Sequence, residues 1–441
     1  MTPWAIFTPS TNSAITREGH NPRRAQIPNR QPTQAQAFDQ QDRRFSAAFS
    51  LLSEAIAQRA FPAASMAVAY RGKLVALKSF GRFVFEKDLE GAPPLSRSLR
   101  QGGDFDVQVT ASTLFDLASL TKPMATTTMA MILYERGLLE LEAPVLGVVP
   151  EFLTGGEHRK DVTFRMLLAH CSGLPAYEKL FLRTRNRDDL LQAAFTTALS
   201  ADPGTRAEYS DIGFIILGIA LERLADEPLD EFCQREIFGP LAMPKTTFNP
   251  APELRPRIPP TADERQQQYG AGTCALEATG AGSQSKSTQQ KPRSTFRNRV
   301  IQGEVQDENA FGLGGVAGHA GLFSTAEDVA RFAHVLLSGG SPILRPDTIA
   351  LFTRRGETPA GSSRALGWDT PSQPSQSGKY FGPHSYGHLG YTGTSLWIDP
   401  HRQLSVTLLT NRTWPDCCNQ AIRQVRPRFY DLIVETLDRS E

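Results

Sequence analysis

The sequence predicts an α and β fold in which one antiparallel sheet, built from both ends of the chain, lies beside an inserted helical subdomain. Segments typical of strands occur at 65–80 and again at 395–410. A mostly helical middle runs from Ser119 to about Met243. Strands at both ends with helices between them favour a single shared sheet flanked by helices.

The N-terminal part of the chain predicts a tail, a helix and a hairpin, in that order. Residues 1–41 are rich in Gln, Pro, Asn and Arg without periodicity, which predicts a disordered tail. Residues 45–58 have the amphipathic pattern of a helix. The apolar segments 65–70 and 74–80 flank Arg71-Gly72-Lys73 and therefore predict a hairpin.

Two later segments are expected to be surface insertions. Residues 263–299 are rich in Gln, Ser, Gly and Lys, a composition that does not favour a packed core. A second insertion is expected over 355–383, interrupted by Leu366-Gly-Trp368. The helical subdomain is expected at about 119–250, within a catalytic domain that spans 42–438.

The chain then returns to strands and closes with a helix. Residues 395–399 and 403–410 predict a second hairpin across Pro400-His401-Arg402. Residues 419–437 predict the closing helix.

Composition excludes some functions. The 441 residues are 40% hydrophobic and 21% charged, enough for a large core. A net charge of +1 gives no electrostatic reason to expect nucleic acid, and no apolar run approaches the roughly 18 residues of a membrane span. The N-terminus lacks the basic start and apolar stretch of a signal peptide, so we expect a cytoplasmic protein. A misassigned start site would leave a periplasmic or extracellular location open, and the oligomeric state is also left open.

The cysteines do not indicate a metal site. The five of them lack a Cys-x-x-Cys spacing, and two are adjacent: Cys171, Cys233, Cys274, Cys417 and Cys418. Reduced thiols are the expectation, with no metal and no cofactor.

The most informative motif is Ser119-Leu-Thr-Lys122. Three residues apart on a helix, the two side chains lie on one face, so the lysine amine can take the serine proton. Pro123 is tolerated in the first turn of a helix and costly further in, which places the helix start near Ser119. A second Ser-x-x-Lys motif, Ser283-Gln-Ser-Lys286, lies in the low-complexity stretch, where no rigid site is expected.

Two further segments accompany it. Tyr209-Ser-Asp211 stands just before an apolar helical run, 214–224. Gly387-His388-Leu389-Gly390-Tyr391 has the glycines expected where a substrate backbone approaches an exposed strand edge.

In this order the three segments resemble the penicillin-recognising serine hydrolases, which include class C β-lactamases and DD-peptidases. The family's motifs are Ser-x-x-Lys, Tyr-x-Asn and Lys-Thr-Gly. Residues 162–175 and 307–325 also look like the β-lactamase-related branch of that family. The resemblance covers about 42–438 and implies a β-lactamase/DD-peptidase-like fold, with the site between the sheet and the helical subdomain.

The resemblance also implies roles. Ser119 would be the nucleophile, with a plain helix cap as the alternative, and Lys122 the general base. Tyr209 would pass the proton to the leaving group, the alternative being a core tyrosine. In the family's register the N–H groups of Ser119 and Tyr391 form the oxyanion hole. Gly390 would adjoin that hole.

Three positions depart from the family pattern. Asp211 replaces an asparagine; it would favour a charged Lys122 and shift the base role toward Tyr209, or else cap the following helix. His388 replaces the third motif's lysine and would hydrogen-bond Tyr209 or a leaving group. Leu389 replaces the threonine. These last two changes indicate esters or amides that lack a free carboxylate at that place.

His319, in the glycine-rich loop 314–321, is expected to line the cleft. The sequence holds no Gly-x-Ser-x-Gly, no His-Glu-x-x-His and no P-loop, which excludes the corresponding enzyme classes.

We therefore expect a cofactor-free serine acyl hydrolase that forms an acyl-enzyme. Its substrate would be a small-molecule ester or amide or a peptidoglycan fragment: the enzyme would be an esterase, or an amidase or peptidase on peptidoglycan-type or D-amino-acid substrates, with weak β-lactam hydrolysis as a side reaction. The alternative is a catalytically silent sensor of muropeptides or β-lactams.

Overall fold

The computed structural model describes residues 38, 40–85, 107–265, 296–357, 359–415 and 417–439. Ten strands are present in these ranges: β1 (Ala63–Tyr70), β2 (Lys73–Gly81), β3 (Phe115–Asp116), β4 (Thr247–Phe248), β5 (Ala262–Asp263), β6 (Val300–Ile301), β7 (Leu322–Ser324), β8 (Tyr386–Leu389), β9 (Ser395–Asp399) and β10 (Leu404–Thr410).

The α-helices of the same ranges are α1 (Gln41–Arg44), α2 (Ser46–Ala57), α3 (Thr128–Glu135), α4 (Phe164–Leu168), α5 (Arg187–Thr196), α6 (Asp211–Ala225), α7 (Leu229–Cys233), α8 (Glu308–Gly312), α9 (Ala326–Leu337), α10 (Pro346–Thr353) and α11 (Ile422–Asp438). None of these helices is long and apolar enough to cross a membrane.

The central sheet joins the two ends of the chain. Its five strands lie in the order β2-β1-β10-β9-β8 with antiparallel pairing throughout. Because β1 pairs directly with β10, the prediction of one sheet built from both termini is confirmed. The two predicted hairpins are also present, and Arg71 and Gly72 adopt the left-handed φ values of 49° and 75° that a tight turn between β1 and β2 requires.

Both faces of the sheet are covered. Met66 and Val68 belong to a core shared with α2 and α11, whereas Ala67 and Ala69 face the larger core of the helical part, where α9 packs. Strands that are buried on both faces need apolar residues at every position, which explains their continuous apolar sequence.

The predicted helix at Ser119 has an unexpected start. A 3₁₀-helix over Ala118–Leu120 leads into a π-helix over Lys122–Thr127, and regular α-helix begins only with α3. Pro123 has no N–H to donate, and the Thr128 hydroxyl donates to its carbonyl at 2.9 Å. Such π segments are frequent at functional sites because they redirect side chains.

The predicted insertions lie at the edges of this framework. Residues 266–295 are outside the described ranges, and the pairing of β5 with β6 brings the flanks of that segment together. The described part of 355–383 contains no helix or strand. It reaches the sheet, because Asp369 and Gly387 exchange two backbone hydrogen bonds of 2.8 and 2.9 Å. The edge strand β8 is therefore partly covered rather than fully exposed. The predicted tail lies outside the described residues up to 37, while Gln41 already begins α1.

Candidate active site

Ser119 is held at the start of its helix by a buried carboxylate. The Ala118 N–H donates to Asp116 Oδ1 at 2.8 Å, and the Gln306 N–H donates to Asp116 Oδ2 at 2.6 Å. Burial raises the pKa of Asp116 to about 6, although the two N–H donors oppose the shift. Ala118 has a left-handed φ of 46°, a strained conformation for a non-glycine residue. Asp116 thus ties the backbone just before Ser119 to the segment around Gln306.

Lys122 occupies the centre of the site. It is fully buried, and its Nζ donates to Ser119 Oγ at 2.9 Å, to Asp211 Oδ1 at 2.6 Å and to the His319 carbonyl at 3.0 Å. An ammonium group has three N–H donors and no acceptor. Three acceptors therefore satisfy all three donors of a charged lysine.

The electrostatic surroundings favour the same charged state. Burial lowers the pKa of Lys122, but the carboxylate of Asp211 and the hydroxyl of Tyr209 raise it by more, so that the pKa lies above its usual value. The sequence-based expectation that Asp211 favours a charged Lys122 agrees with this direction.

Asp211 reaches Lys122 because another residue caps its helix. The Ser210 hydroxyl accepts the Gly213 N–H at 3.0 Å, which is the N-cap bond of α6. Asp211 is the first helical residue and points its carboxylate at Lys122 instead. The alternative expectation, that Asp211 caps this helix, is not what the structure shows.

Tyr209 is positioned by a residue from a neighbouring loop. The Glu208 N–H donates to the His170 carbonyl at 2.8 Å, and the Ser210 N–H donates to His170 Nδ1 at 3.0 Å. The backbone on both sides of Tyr209 is therefore tied to His170, whose ring lies 4.6 Å from the Tyr209 ring. Lys122 Nζ lies 4.7 Å from the same ring.

The Tyr209 hydroxyl is predominantly protonated at neutral pH. Burial raises its pKa, nearby Lys122 lowers it and Asp211 raises it again, with a net shift upward. A small phenolate fraction, stabilised by the lysine, is the form that could accept a proton.

His388 lies on β8 with its ring 5.8 Å from the Tyr209 ring. Its Nδ1 is 2.8 Å from the Leu389 carbonyl and donates to it, while its Nε2 is buried without a partner among the described residues. Burial, Lys122 and Arg364 hold the pKa of His388 well below its usual value. The ring is therefore neutral, and the expected hydrogen bond to Tyr209 is not formed.

The turn between β8 and β9 is fastened to the backbone just before Ser119. The Thr392 hydroxyl donates to the Asp116 carbonyl at 2.7 Å, and the Thr394 hydroxyl donates to the Leu117 carbonyl at 2.9 Å. A Cβ on Gly390 would lie 2.5 Å from the Leu117 carbonyl oxygen, so only glycine permits this approach.

Tyr391 lies within this turn, directly after Gly390. Its carbonyl accepts from Arg412 Nε at 2.7 Å, and the Arg412 guanidinium lies 4.5 Å from the Tyr391 ring centre. These contacts fix the orientation of the Tyr391 peptide beside the start of the Ser119 helix.

His319 does not line an open cleft. Its side chain is 1% exposed, and its Nε2 is 2.8 Å from Asp307 Oδ1. The part of His319 that reaches the site is its backbone carbonyl, which accepts from Lys122. The sequence-based expectation located the loop correctly but assigned the wrong atom, because it could not show which way the ring turns.

Two residues near Tyr209 were not singled out from the sequence. The Arg364 guanidinium carbon lies 5.3 Å from the Tyr209 ring centre, and the His170 ring lies on the same tyrosine. Arg364 comes from the second predicted insertion, far from any motif. No signal in the sequence points to it.

Among the described residues, no group of three or more His, Cys, Asp or Glu side chains is arranged to hold a metal ion. The candidate site is thus formed by protein side chains: Ser119 and Asp211 are hydrogen-bonded to Lys122, and the Tyr209 ring lies beside Lys122. Two neutral histidines, His170 and His388, lie next to that ring.

Comparison with known proteins shows the family to which the chain belongs. A family model described as beta-lactamase matches residues 48–424. An N-acetylmuramyl-L-alanine amidase of Bacillus subtilis (strain 168) is 32% identical over 377 residues, which are 80% of this chain and 77% of that protein. A putative D-alanyl-D-alanine carboxypeptidase of Salmonella typhimurium is 29% identical over 385 residues, 82% of this chain and 81% of that protein.

Solved structures support the fold. EstCE1, a hydrolase with promiscuous acyltransferase activity, superimposes with a TM-score of 0.62 at 20% identity, over 88% of this chain and 99% of that one. The predicted fold class and the family resemblance are both confirmed. The chain belongs to the β-lactamase family and is a serine hydrolase.

Proposed function

We propose that this protein is an amidase that cleaves peptidoglycan-type amides through an acyl-enzyme on Ser119. The observation that carries the proposal is the 2.9 Å hydrogen bond between Lys122 Nζ and Ser119 Oγ, at a buried lysine whose other two N–H groups are also bonded. This arrangement holds the serine oxygen in one position next to a fixed positive charge.

The charged state of Lys122 assigns the proton transfers. A charged ammonium cannot accept a proton, so the Tyr209 phenolate takes the proton of Ser119 Oγ as that oxygen attacks the substrate carbonyl carbon. The carbonyl oxygen becomes an oxyanion and is held by the N–H groups of Ser119 and Tyr391. Lys122 stabilises both the phenolate and the developing negative charge.

The intermediate then collapses and the enzyme is regenerated. The bond between carbonyl carbon and amide nitrogen breaks, and Tyr209 returns its proton to the leaving nitrogen. An ester between the acyl group and Ser119 remains. Water attacks this ester and gives one proton to the Tyr209 phenolate. The bond between the acyl carbon and Ser119 Oγ then breaks, the acid leaves, and Tyr209 passes that proton to Ser119 Oγ.

The proposed substrate class rests on the relatives' names. The relative that is 32% identical is named an N-acetylmuramyl-L-alanine amidase, and the Salmonella relative is named a putative D-alanyl-D-alanine carboxypeptidase. Both names refer to amides of alanine in cell-wall peptides. The complete Ser119, Lys122 and Tyr209 set supports an enzyme over the alternative of a silent sensor.

A fluorophosphonate tests the nucleophile. The reagent forms a bond from Ser119 Oγ to phosphorus and releases fluoride, which intact-protein mass spectrometry detects as a single adduct. We expect the adduct on the wild-type protein and on Ser283→Ala, the matched variant in the second Ser-x-x-Lys run, but not on Ser119→Ala. Labelling that persists in Ser119→Ala would overturn the assignment of the nucleophile.

The substrate class needs its own measurement. Release of L-alanine from N-acetylmuramyl-L-alanine, and of D-alanine from a peptide ending in D-alanyl-D-alanine, is expected from the wild-type protein and not from Ser119→Ala. Labelled protein that releases neither amino acid but hydrolyses a p-nitrophenyl ester would show an esterase instead.

A further inference from the structure

Three polar groups lie around the Tyr209 ring and have hydrogen-bonding capacity that no described residue uses. The His388 ring centre lies at 5.8 Å from that of Tyr209, the His170 ring centre at 4.6 Å and the Arg364 guanidinium carbon at 5.3 Å. The Nε2 atoms of both histidines are buried and bind no described residue. His388 and His170 are only 3% and 2% exposed, so both rings lie inside the protein.

Among the described residues around the Tyr209 ring, Arg364 is a cation whose hydrogen-bond donors are not in use. Its side chain is 21% exposed and donates no hydrogen bond to any described residue. Its one ion pair within those residues joins Nη1 to Asp369 Oδ2 at 3.7 Å, while Asp369 Oδ1 is engaged by the Ser363 hydroxyl at 2.8 Å. The other cation beside Tyr209 is Lys122, whose three donors are all in use.

The two histidines differ in what they offer. His170 Nδ1 accepts the Ser210 N–H, so its hydrogen is on Nε2, which is a donor. His388 Nδ1 donates to the Leu389 carbonyl, so its Nε2 is an acceptor. The pKa of each imidazole is well below its usual value, because of burial first and nearby cations second, which keeps both rings neutral.

We propose that Arg364, with the Nε2–H of His170, binds a carboxylate on the leaving group, while His388 Nε2 accepts a hydrogen bond from the leaving nitrogen. The inference rests on the proposed amidase function and names its leaving group: an amino acid or short peptide with a free carboxylate. Tyr209 is the proton donor to the leaving nitrogen, and Arg364 lies over its ring, so the carboxylate falls on the leaving-group side rather than the acyl side.

This replaces an expectation drawn from the sequence. The absence of Lys and Thr from the third motif indicated substrates without a carboxylate there. The fold supplies a cation from elsewhere, because the bridge between Asp369 and Gly387 attaches the segment that carries Arg364 to the edge of β8. A guanidinium with several unused N–H donors matches a planar carboxylate better than an imidazole does.

Two substrates that differ only in charge test the proposal. N-acetylmuramyl-L-alanine carries the carboxylate, and its C-terminal amide does not. We expect the wild-type protein to show a kcat/KM about tenfold or more higher for the acid, as a charge-assisted bond provides. Arg364→Gln should bring that ratio close to one, and Arg364→Lys should recover part of it. Arg354→Gln, an exposed arginine at the end of α10, is the matched control and should keep the wild-type ratio.

A binding measurement separates this inference from the proposed function. In the Ser119→Ala background, calorimetric titration of the same two ligands requires no catalysis. Tighter binding of the acid that is lost with Arg364→Gln supports the carboxylate site even if the wild-type protein hydrolyses neither ligand, which would count against the amidase. Equal binding of the two ligands, no binding of either, or a ratio unaffected by Arg364→Gln overturns the carboxylate site.

Discussion

The two sides of Ser119 differ in how completely their polar groups are bonded. On one side, Lys122 donates to three acceptors and Asp116 accepts from two backbone N–H groups. On the other side, the Nε2 atoms of His170 and His388 have no partner among the described residues. Every N–H donor of Lys122 has an acceptor on the first side, whereas each histidine on the second side has one ring nitrogen without a partner among the described residues.

We interpret this difference in hydrogen bonding as one between groups that act on the reacting atoms and groups that recognise the substrate. A buried polar group left without a hydrogen bond costs about 1–3 kcal/mol, so a fold retains such groups only where something else compensates. A bound substrate can provide that compensation. We propose that the bonded side holds the reacting oxygen and its charge before substrate arrives, and that the unbonded side is complementary to a group that the substrate brings.

Removal of the lysine breaks the bonded side and should have the largest effect. Lys122→Met keeps the length of the side chain but deletes the charge beside Ser119. We expect fluorophosphonate labelling to slow by about 10³-fold, the loss typical of a positioned acid–base or electrostatic group. The free energy of unfolding should also fall, by about 3–5 kcal/mol, because Asp211 is left as an uncompensated carboxylate. The time course of labelling measures the first effect, and chemical denaturation measures the second.

A double variant distinguishes the two losses. Lys122→Met with Asp211→Asn removes the unpaired charge and should recover much of the stability. Labelling should stay slow, because the charge next to Ser119 is still absent. Recovery of labelling along with stability would mean that Lys122 acts on folding alone.

Asp211→Asn should alter the pH dependence. Asp211 raises the pKa of both Lys122 and Tyr209. In the wild-type protein the labelling rate should therefore rise with pH and reach no plateau below about pH 10, the usual tyrosine pKa. Removing the carboxylate lowers both pKa values, so the profile should move toward neutral pH and the labelling rate at neutral pH should rise, about tenfold for each pH unit of displacement. An unchanged profile would show that Asp211 does not set the protonation state of the site.

The sequence predicted the bonded side better than the open side for a physical reason. Ser119 and Lys122 are three residues apart on one helix, so a local geometric rule brings them together. Tyr209 and Asp211 stand at a helix start that the apolar run after them makes evident. The sheet could be predicted because the segments near the two ends of the chain have the length and composition of strands.

The residues that the sequence did not reveal depend on distant segments. Arg364 reaches Tyr209 only because its segment bridges to β8, and no periodicity encodes that contact. The orientation of the His319 ring and the choice of Ser210 as helix cap are similar cases. Each is decided by which neighbour offers a hydrogen bond, and that is known only once the elements are packed.

His388→Gln tests the unbonded side of the site through the free energy of unfolding in mild acid. The pKa of His388 is well below its usual 6.5 in the folded state, so below pH 6.5 the unfolded chain binds a proton that the folded protein does not. Stability must then fall as the pH decreases, by up to about 1.4 kcal/mol per pH unit for one such group.

Other groups contribute as well, His170 with the same sign and Asp116 with the opposite sign, and a difference measurement removes them. Asp116 has a raised pKa of about 6, so its contribution falls as the pH rises from 3.8 through 6. We therefore compare denaturation of the wild-type protein and His388→Gln at pH 5, 6 and 7.5. The variant should lose less stability between pH 7.5 and pH 5. Parallel pH profiles would show that His388 is not held neutral.

The smallest expected effect lies at the join between the two sides. Thr394 donates to the Leu117 carbonyl at 2.9 Å and so fastens the β8–β9 turn to the backbone just before Ser119. Thr394→Val keeps the shape but deletes the donor, and a buried carbonyl without its partner should cost about 1 kcal/mol. Labelling should slow only a few-fold, because Thr392 holds the same turn through a second bond of 2.7 Å. Thr394→Ser retains the hydroxyl and should behave like the wild-type protein. A loss of stability in Thr394→Val with an unchanged labelling rate would mean that the turn supports the fold without positioning Ser119. The proposed contribution of Tyr391 to the oxyanion hole would then lose its structural basis.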